Sequence, residues 1–428
     1  MSSDSPMSSD RPMSAATRLT GLPPQPAPGF VEFVALMASL IALGALGVDA
    51  MLPALPAMAV SFHVQNANSL QWLIAAYFLG TGIGQLIFGS LSDWLGRKRV
   101  LMAGIGVYVV LMLIAPLAPS LGVLIVLRAL QGCAASSANV VTRSIVRDLY
   151  EGARMAKVMS ISFMIFLSVP ILAPSFGQLV LLVLPWQAIF LIIATAGIAV
   201  LTWTWFRLPE TLAPANRFRP DLNHLKRVAF FVVSEPSSLF YSLAVTFLIA
   251  SLLTYVSLMP QIFAVAFAKP QLMAPVFAAC AATMGGGALL NAALVERLGS
   301  RRISHVALCS LVGLTAVHFA WAALGHETIL SFVILQALTM GCFSLTTSNF
   351  GAIAMEKVGH VAGTAASIQG VVTSVGGSLV GGNVGQHWDG HIALLPFGAC
   401  LCAIAALGLV AIGERGRLFT RYDTRVIS

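Results

Sequence analysis

Charged residues are unusually scarce in this 428-residue chain. They make up 9% of it, whereas a soluble globular domain carries about 25%, and hydrophobic residues make up 58%. A soluble protein of this size needs a charged surface, so the composition excludes that class, and the high apolar content excludes a disordered chain. The composition also argues against a nucleic-acid partner, despite the formal net charge of +8. We predict an integral membrane protein whose main solvent is the lipid bilayer.

The chain also lacks the motifs of a nucleotide-driven pump or a metalloenzyme. The phosphate-binding loop of nucleotide-driven pumps contains a Gly-Lys pair, and this sequence contains no such pair. The six cysteines lie within apolar stretches without metal-type spacing, so we interpret them as packing residues. We interpret "HWDGH", with His387, Asp389 and His391, as a solvated loop, and a metal site is the less favoured alternative. We therefore predict a protein that is not an enzyme, with no metal and no cofactor, in which an ion gradient drives any active transport.

Twelve apolar stretches have the length of about 20 residues that a membrane-spanning helix needs. They begin near Phe33, Gln71, Val100, Leu121, Val158, Trp186, Leu239, Met273, Ile303, Thr328, Val361 and Ile392. The apolar runs are continuous rather than alternating, which argues against a barrel. We predict an all-α polytopic protein with an N-terminal tail (1–30), a six-helix half (31–206), a polar linker (207–236), a second six-helix half (237–413) and a C-terminal tail (414–428).

The positive charges indicate which side of the membrane the loops face. Of the 24 Lys and Arg residues, all but Lys269 and Arg128 fall in loops and tails that should share one side. Because cytoplasmic loops are enriched in Lys and Arg, this side is expected to be the cytoplasm. Both termini are then cytoplasmic, in agreement with an even number of spans.

A repeated hairpin supports the division into halves. The segment "LSDWLGRKRV" begins at Leu91 and is echoed by "LVERLGSRRI" from Leu294, between the second and third helices of each half. The same spacing between equivalent helices indicates a duplication. Two six-helix halves of this kind form one large class of transporters, in which the substrate site lies between the halves near the middle of the membrane.

Two ionisable residues lie well inside predicted spans. A charged side chain in the membrane interior costs free energy, so its presence there indicates a functional role. Asp49 lies in the first helix and Arg128 in the fourth, each about 10 Å below the outer surface at 1.5 Å per residue. We predict that Asp49 binds the transported proton and that Arg128 tunes its protonation or contacts substrate. The alternative is a fixed ion pair that holds the two helices together.

Several further residues are candidates for conformational change or for the substrate cavity. The hairpin with Asp93 is interpreted either as a gate that locks one conformation or as a positive-inside anchor. Two prolines in the fifth span predict a kink. Polar groups among aromatics give possible cavity residues, although packing is the favoured role for each. The gate candidates are Gly89, Asp93, Gly96, Arg97 and Lys98; the fifth-span candidates are Pro170, Pro174 and Gly177; the cavity candidates are Tyr77, Gln85, Asn139 and Phe163.

Four of these segments resemble known motifs. "VDAMLPALPAMA", which contains Asp49, is similar to the first-helix signature of the bicyclomycin-resistance (Bcr/CflA) branch of the major facilitator superfamily. "LGTGIGQLIFGSLSDWLGRKRVL" resembles that branch's second helix and the superfamily's gate motif. "LRALQGCAASSANVVTRSIVRDL" resembles the fourth-helix motif, with Arg128 and Gly132 matching. "PILAPSFGQLV" resembles the fifth-helix antiporter motif, through Pro174 and Gly177.

The resemblance implies an inner-membrane antiporter that exports drugs or small metabolites in exchange for protons, with Asp49 as the membrane acid. It is dense from about Asp49 to Phe190 and mainly architectural afterwards. The chain departs from the motifs at several positions. Trp94 stands where the gate motif usually has a basic residue. Arg99 and Ser90 stand in place of prolines, and Ala173 and Gln178 in place of glycines of the fifth-helix motif.

The sequence thus predicts a drug:proton antiporter that works by alternating access. We expect its partners to be a small-molecule substrate, protons and the bilayer, and we expect a monomer. Three alternatives stay open: an exporter of one metabolite such as a sugar, amino acid or polyamine, a sensor that does not transport, and a passive channel. Neither the substrate nor the lining residues of the second half follow from the sequence.

Overall fold

The computed structural model describes residues 28–219 and 222–419, and its long elements are helices. Most of the predicted N-terminal tail and the end of the C-terminal tail lie outside these ranges. Twelve long helices follow one another along the chain. They are α1 (Phe30–Asp49), α2 (Trp72–Leu95), α3 (Arg97–Ile114), α4 (Leu121–Leu149), α5 (Gly152–Leu181), α6 (Gln187–Arg207), α7 (Pro236–Gln261), α8 (Met273–Leu298), α9 (Ser300–Ala323), α10 (Ile329–Met355), α11 (Ala362–Gln386) and α12 (Leu394–Gly413).

The helices correspond to the twelve predicted spans, and many are longer than the 20 residues expected. Within the described residues, ten of them are long and apolar enough to cross a membrane, and α5 and α11 are the two outside that group. In α5 the apolar stretch found within the described residues is shorter, Ser168–Leu181. Helix α11 is rich in Gly, Ser and Thr. It packs against both α2 and α7, and small residues at such contacts allow helices to approach closely.

The two halves use the same pattern of helix pairs. In the first half α1 packs on α5, α2 on α4 and α3 on α6. In the second half α7 packs on α11, α8 on α10 and α9 on α12. In both copies of the repeated hairpin the turn between the helices is formed at a glycine with positive φ. These are Gly96, at 103°, and Gly299, at 82°. Because L side chains rarely adopt this conformation, the shared glycine explains why both copies keep it. The all-α fold with two pseudo-symmetric halves is confirmed.

The halves meet along two seams, α2 with α11 and α5 with α8. We refer to the end of the molecule that carries Asn68, at the start of α2, as the Asn68 side, and to the opposite end as the Asp93 side. The linker between the halves contains a helix, Leu222–Ser234, where the sequence predicted only a polar segment. Its Val228 and Val232 are buried against Val358 and Ile368, which explains why it is helical.

Candidate functional site

A cavity of about 240 Å³ lies between the two halves. Both halves contribute to its wall, which is mainly aliphatic and aromatic. Of the four predicted cavity residues, Tyr77 and Asn139 line it. Gln85 instead reaches across the α2–α11 seam and donates to the Ser374 hydroxyl at 3.4 Å. The side chain of Phe163 lies outside the described part of the structure. The residues that line the cavity include Asp49, Phe78, Thr81, Pro170, Leu252, Tyr255, Phe277, Cys280, Met284 and Met340.

Asp49 is the last residue of α1 and lies on the cavity wall. The helix ends here because the ring of Pro53, four residues later, clashes with the carbonyl that would continue the hydrogen-bond ladder. The "LPALP" sequence therefore places a carboxylate at a helix end next to the cavity. Asp49 is 8% exposed, and within the described residues its side chain makes no hydrogen bond and no ion pair. It is a buried acid whose protonation is not fixed by a partner.

Arg128 is completely buried and is not among the residues that line the cavity. Its guanidinium lies 4.4 Å from the centre of the Tyr77 ring and donates to Gln131 Oε1 at 2.9 Å. A longer bond of 3.4 Å reaches the carbonyl of Leu73 on α2. Within the described residues Arg128 makes no ion pair with Asp49, and this structure gives no support to the fixed-pair alternative. Arg128 ties α2 to α4 through an aromatic face and neutral oxygens.

The gate candidates form a connected cluster on the Asp93 side. Arg97 bonds Asp93 and, at 3.0 Å, Asp148 at the end of α4. Its backbone N–H donates to Glu210 of the linker at 2.8 Å. Lys98 donates to the Trp205 carbonyl at 2.8 Å. These contacts join the hairpin to α4, α6 and the linker. Gly89 faces Ser367 of α11, where an added Cβ would come within 3.3 Å of the hydroxyl.

The fifth helix contacts both α1 and the second half. Gly177 packs on the backbone of α1's end, where a side chain would overlap the carbonyl of Ala50. Gln178, which stands where the resembled motif has glycine, donates to the Pro270 carbonyl at 2.9 Å. Pro170 reaches the central cavity, whereas Pro174 does not line it. The departure at Gln178 thus creates a bond between the halves.

Four carboxamides, Asn68, Gln71, Gln261 and Gln386, connect the halves on the Asn68 side, and we name this group the carboxamide clasp. Gln71 donates to Gln261 at 2.7 Å, and Gln261 donates to Asn68 at 3.2 Å. Asn68 and Gln386 each donate to the other's backbone carbonyl, at 2.9 and 2.7 Å. The sequence analysis missed this group. Its only signal was amide residues flanking apolar spans.

Tyr255 of α7 was also missed, because no membrane charge marks the lining residues of the second half. It is 3% exposed, and its ring stacks on Phe277 with centroids 5.4 Å apart. The "HWDGH" segment forms a turn in which Asp389 accepts the backbone N–H of His391 at 3.0 Å. Within the described residues no group of three or more His, Cys, Asp or Glu side chains is arranged to hold a metal ion.

Comparison with known proteins agrees with this architecture. The model of the Major Facilitator Superfamily matches residues 37–381. An MFS-type transporter of Bacillus subtilis, YdgK, is 27% identical over 88% of this chain and 93% of its own length. A bicyclomycin resistance protein homolog of Haemophilus influenzae is 27% identical over 86% and 93%. Multidrug resistance protein MdtL of Escherichia coli is 32% identical over 48% of this chain and 52% of its own.

Solved structures show the same fold. A D-xylose-proton symporter superposes with a TM-score of 0.69 at 14% identity, covering 89% of this chain and 97% of its own. The human organic anion transporter MFSD10 gives a TM-score of 0.61 at 16% identity, covering 90% and 99%. At these identities the likeness concerns the fold alone. The resemblance noted in the first-half motifs is confirmed by the family match, and the chain belongs to the Major Facilitator Superfamily, as a membrane transporter rather than an enzyme.

Proposed function

We propose that the protein is a proton-coupled antiporter that exports drugs or small, partly hydrophobic molecules. The observation that carries this proposal is Asp49, a buried carboxylate on the wall of an apolar cavity between the two halves, with no hydrogen-bond or ion-pair partner among the residues that the structure describes. Such a group can exchange protons as the cavity faces one side and then the other. The relatives named for bicyclomycin and multidrug resistance support the same substrate class.

In this proposal the halves rock about the cavity, and the Asp93 side faces the cytoplasm of a bacterial inner membrane. The carboxamide clasp must open for the cavity to reach the Asn68 side, because its bonds cross between the halves. The Arg97 cluster stabilises one of the two states. The proton gradient supplies the energy, so no cofactor is needed, and the protein acts as a monomer.

The test is a measurement of substrate-induced pH change in liposomes that contain the purified protein and a trapped pH dye. A panel of antibacterial drugs and metabolites is added to wild type and to Asp49→Asn. We expect drugs to produce a pH signal with wild type and none with the variant. Asp389→Asn, the same change in an exposed turn, is the matched control and should behave as wild type.

Two other outcomes would replace the proposal. A signal with one metabolite and with no drug would indicate a dedicated exporter of that compound. Flux that is the same with and without a proton gradient, and unchanged in Asp49→Asn, would indicate a passive route.

A further inference from the structure

The hydroxyl of Tyr255 is a polar group that the second half contributes to the cavity wall. Tyr255 is buried, and its hydroxyl makes no hydrogen bond of standard geometry with any described residue; the polar group beside it is the thiol of Cys280, a weak hydrogen-bonding group. A buried polar group without a strong partner destabilises a protein, and native structures rarely keep one without a reason. Its position on the cavity wall suggests that the missing partner is a molecule inside the cavity.

The other hydroxyls on the wall are already engaged. Tyr77 donates to the carbonyl of Gly44 at 2.9 Å. Thr81 donates to the carbonyl of Tyr77 at 2.9 Å. Tyr255 is therefore the hydroxyl that remains available among the described lining residues.

The ring of Tyr255 is held in place, so its hydroxyl does not need to be ordered by the ligand. It stacks almost parallel to Phe277, with an interplanar angle of 18°. A fixed donor loses little conformational entropy on binding, which favours selectivity. Asp49 lies on the same wall but comes from the first half. The cavity thus offers an acidic group from one half and a hydroxyl donor from the other.

We infer that Tyr255 binds the transported molecule directly and that it selects molecules carrying a hydrogen-bond acceptor. This inference rests on the proposed function, because it assumes that the cavity holds the cargo. The volume of about 240 Å³ lies below the roughly 300–1,000 Å³ of ordinary drug-sized pockets, so the cargo that fits this state is small. The walls of aromatic and thioether side chains suit a flat ring system, with its positive or donor group towards Asp49 and its acceptor towards Tyr255.

Two probes test the inference because they differ only in the acceptor. N-methylquinolinium is a flat aromatic cation, and 6-methoxy-N-methylquinolinium is the same cation with an ether oxygen. Their affinities for the purified full-length protein are measured by calorimetry at alkaline pH. We expect the methoxy probe to bind wild type about two- to tenfold more tightly, as one added neutral hydrogen bond allows. In Tyr255→Phe this ratio should fall to about one, with the affinity for the parent probe unchanged.

The matched control is Tyr108→Phe. Tyr108 is equally buried, but its hydroxyl donates to the Leu43 carbonyl at 3.2 Å and it does not line the cavity. This variant should keep the wild-type preference for the methoxy probe. A melting curve of Tyr255→Phe verifies that the variant is folded, and its melting temperature should change little, because the polar group beside the lost hydroxyl is a weakly bonding thiol.

Three results would overturn the inference. The methoxy preference persists in Tyr255→Phe, or both probes lose affinity equally in that variant, or neither probe binds wild type. The second result would assign Tyr255 to general cavity structure. The proposed function is judged separately by the drug-induced pH signal and its loss in Asp49→Asn. A protein that keeps that signal but lacks the methoxy preference refutes only the role of Tyr255.

Discussion

Arg128 is a buried guanidinium whose main partner is an aromatic ring rather than a carboxylate. It lies over Tyr77 and donates to Gln131, which in turn donates to the Leu111 carbonyl of α3 at 3.0 Å. A cation over an aromatic face in a dry interior contributes up to about 2 kcal/mol. These contacts join three helices of the first half. Arg128 therefore stabilises that half as a unit while the halves move.

Substitutions of Tyr77 should separate its ring from its hydroxyl. Tyr77→Phe keeps the stacked ring and loses the bond to Gly44, which should cost about 1 kcal/mol. Tyr77→Leu also removes the aromatic face beneath Arg128 and should cost about 1–2 kcal/mol more. The measurement is the melting temperature of each purified variant in the same detergent. Equal losses in the two variants would show that the ring does not stabilise the buried charge.

The sequence predicted Asp49 and Arg128 as the two membrane charges but not their relation. Depth along a helix follows from counting residues, and both were placed at the same level. The direction that each side chain faces depends on how α1 and α4 are rotated against their neighbours, and this is decided by packing. Tyr255 escaped prediction for a related reason. A tyrosine in an apolar span has no distinguishing pattern until its hydroxyl is found without a strong partner.

At the scale of helices, glycines set how closely α2 and α4 approach. An added Cβ at Gly80 would overlap the carbonyl of Ala129, and one at Gly132 would overlap the carbonyl of Tyr77. The two backbones are thus in direct contact. Helices α7 and α11 of the second half also approach closely, because an added Cβ at Gly381 would lie 2.6 Å from the carbonyl oxygen of Ala250. Of these glycines, Gly132 matched the family motif noted in the sequence.

Gly132→Ala should therefore be strongly destabilising. Its methyl group would meet backbone rather than a movable side chain, so the helices must separate, at a cost of about 3 kcal/mol or more. Gly106→Ala on α3 is the matched control, because nothing lies within 4 Å of an added Cβ there. The control should be neutral or slightly stabilising, since alanine favours helix. The amount of folded protein recovered and its melting temperature measure both variants. A Gly132→Ala variant as stable as Gly106→Ala would contradict the packing.

The carboxamide clasp holds the ends of α2, α7 and α11 together without any charge. Gln261→Leu removes two of its bonds, one accepted from Gln71 and one donated to Asn68. Because both bonds cross between the halves, their loss should favour states that are open on the Asn68 side by about 1–3 kcal/mol. Spin labels at Gln65→Cys and His326→Cys, with the six native cysteines replaced, report the separation of the halves. We expect a larger population of long distances in the variant.

A matched control for the clasp is Gln369→Leu. Gln369 donates to Ser238 and to the Ala354 carbonyl within the second half, so its bonds do not cross between the halves. Its distance distribution should match wild type. Identical distributions in Gln261→Leu and wild type would show that the clasp does not influence the equilibrium. The sequence could not predict this group, because the register between α2, α7 and α11 brings its members together.

At the scale of the whole molecule, both halves anchor their repeated hairpin with an arginine, but not with the same one. In the first half Arg97 bonds Asp148 at the end of α4. In the second half Arg301 bonds Glu356 after α10, at 2.7 Å, and Glu414 after α12, at 2.9 Å. Arg301 is the repeat equivalent of Lys98, one position further along than Arg97. The duplication thus kept the contact between helices while the residue that makes it changed.

The alternating-access proposal requires the α2–α11 seam to open and close on the Asn68 side during each cycle. A Cβ added at Gly382 would lie 3.0 Å from the Cβ of Ala75 across this seam. Disulfides join Cβ atoms about 3.5–4.5 Å apart, so a small adjustment allows the bond. We expect Ala75→Cys with Gly382→Cys, made without the native cysteines, to crosslink on oxidation and to stop drug-induced pH change in liposomes.

The arrest should be caused by the crosslink and not by the substitutions. Reductant should restore transport in the double variant, and each single variant should transport equally before and after oxidation. Because a disulfide fixes one distance between the halves, a rocking mechanism has no path around it. Full transport by the crosslinked protein would mean that the halves do not separate along this seam, and that the cavity is reached on the Asn68 side by a route through α5 and α8.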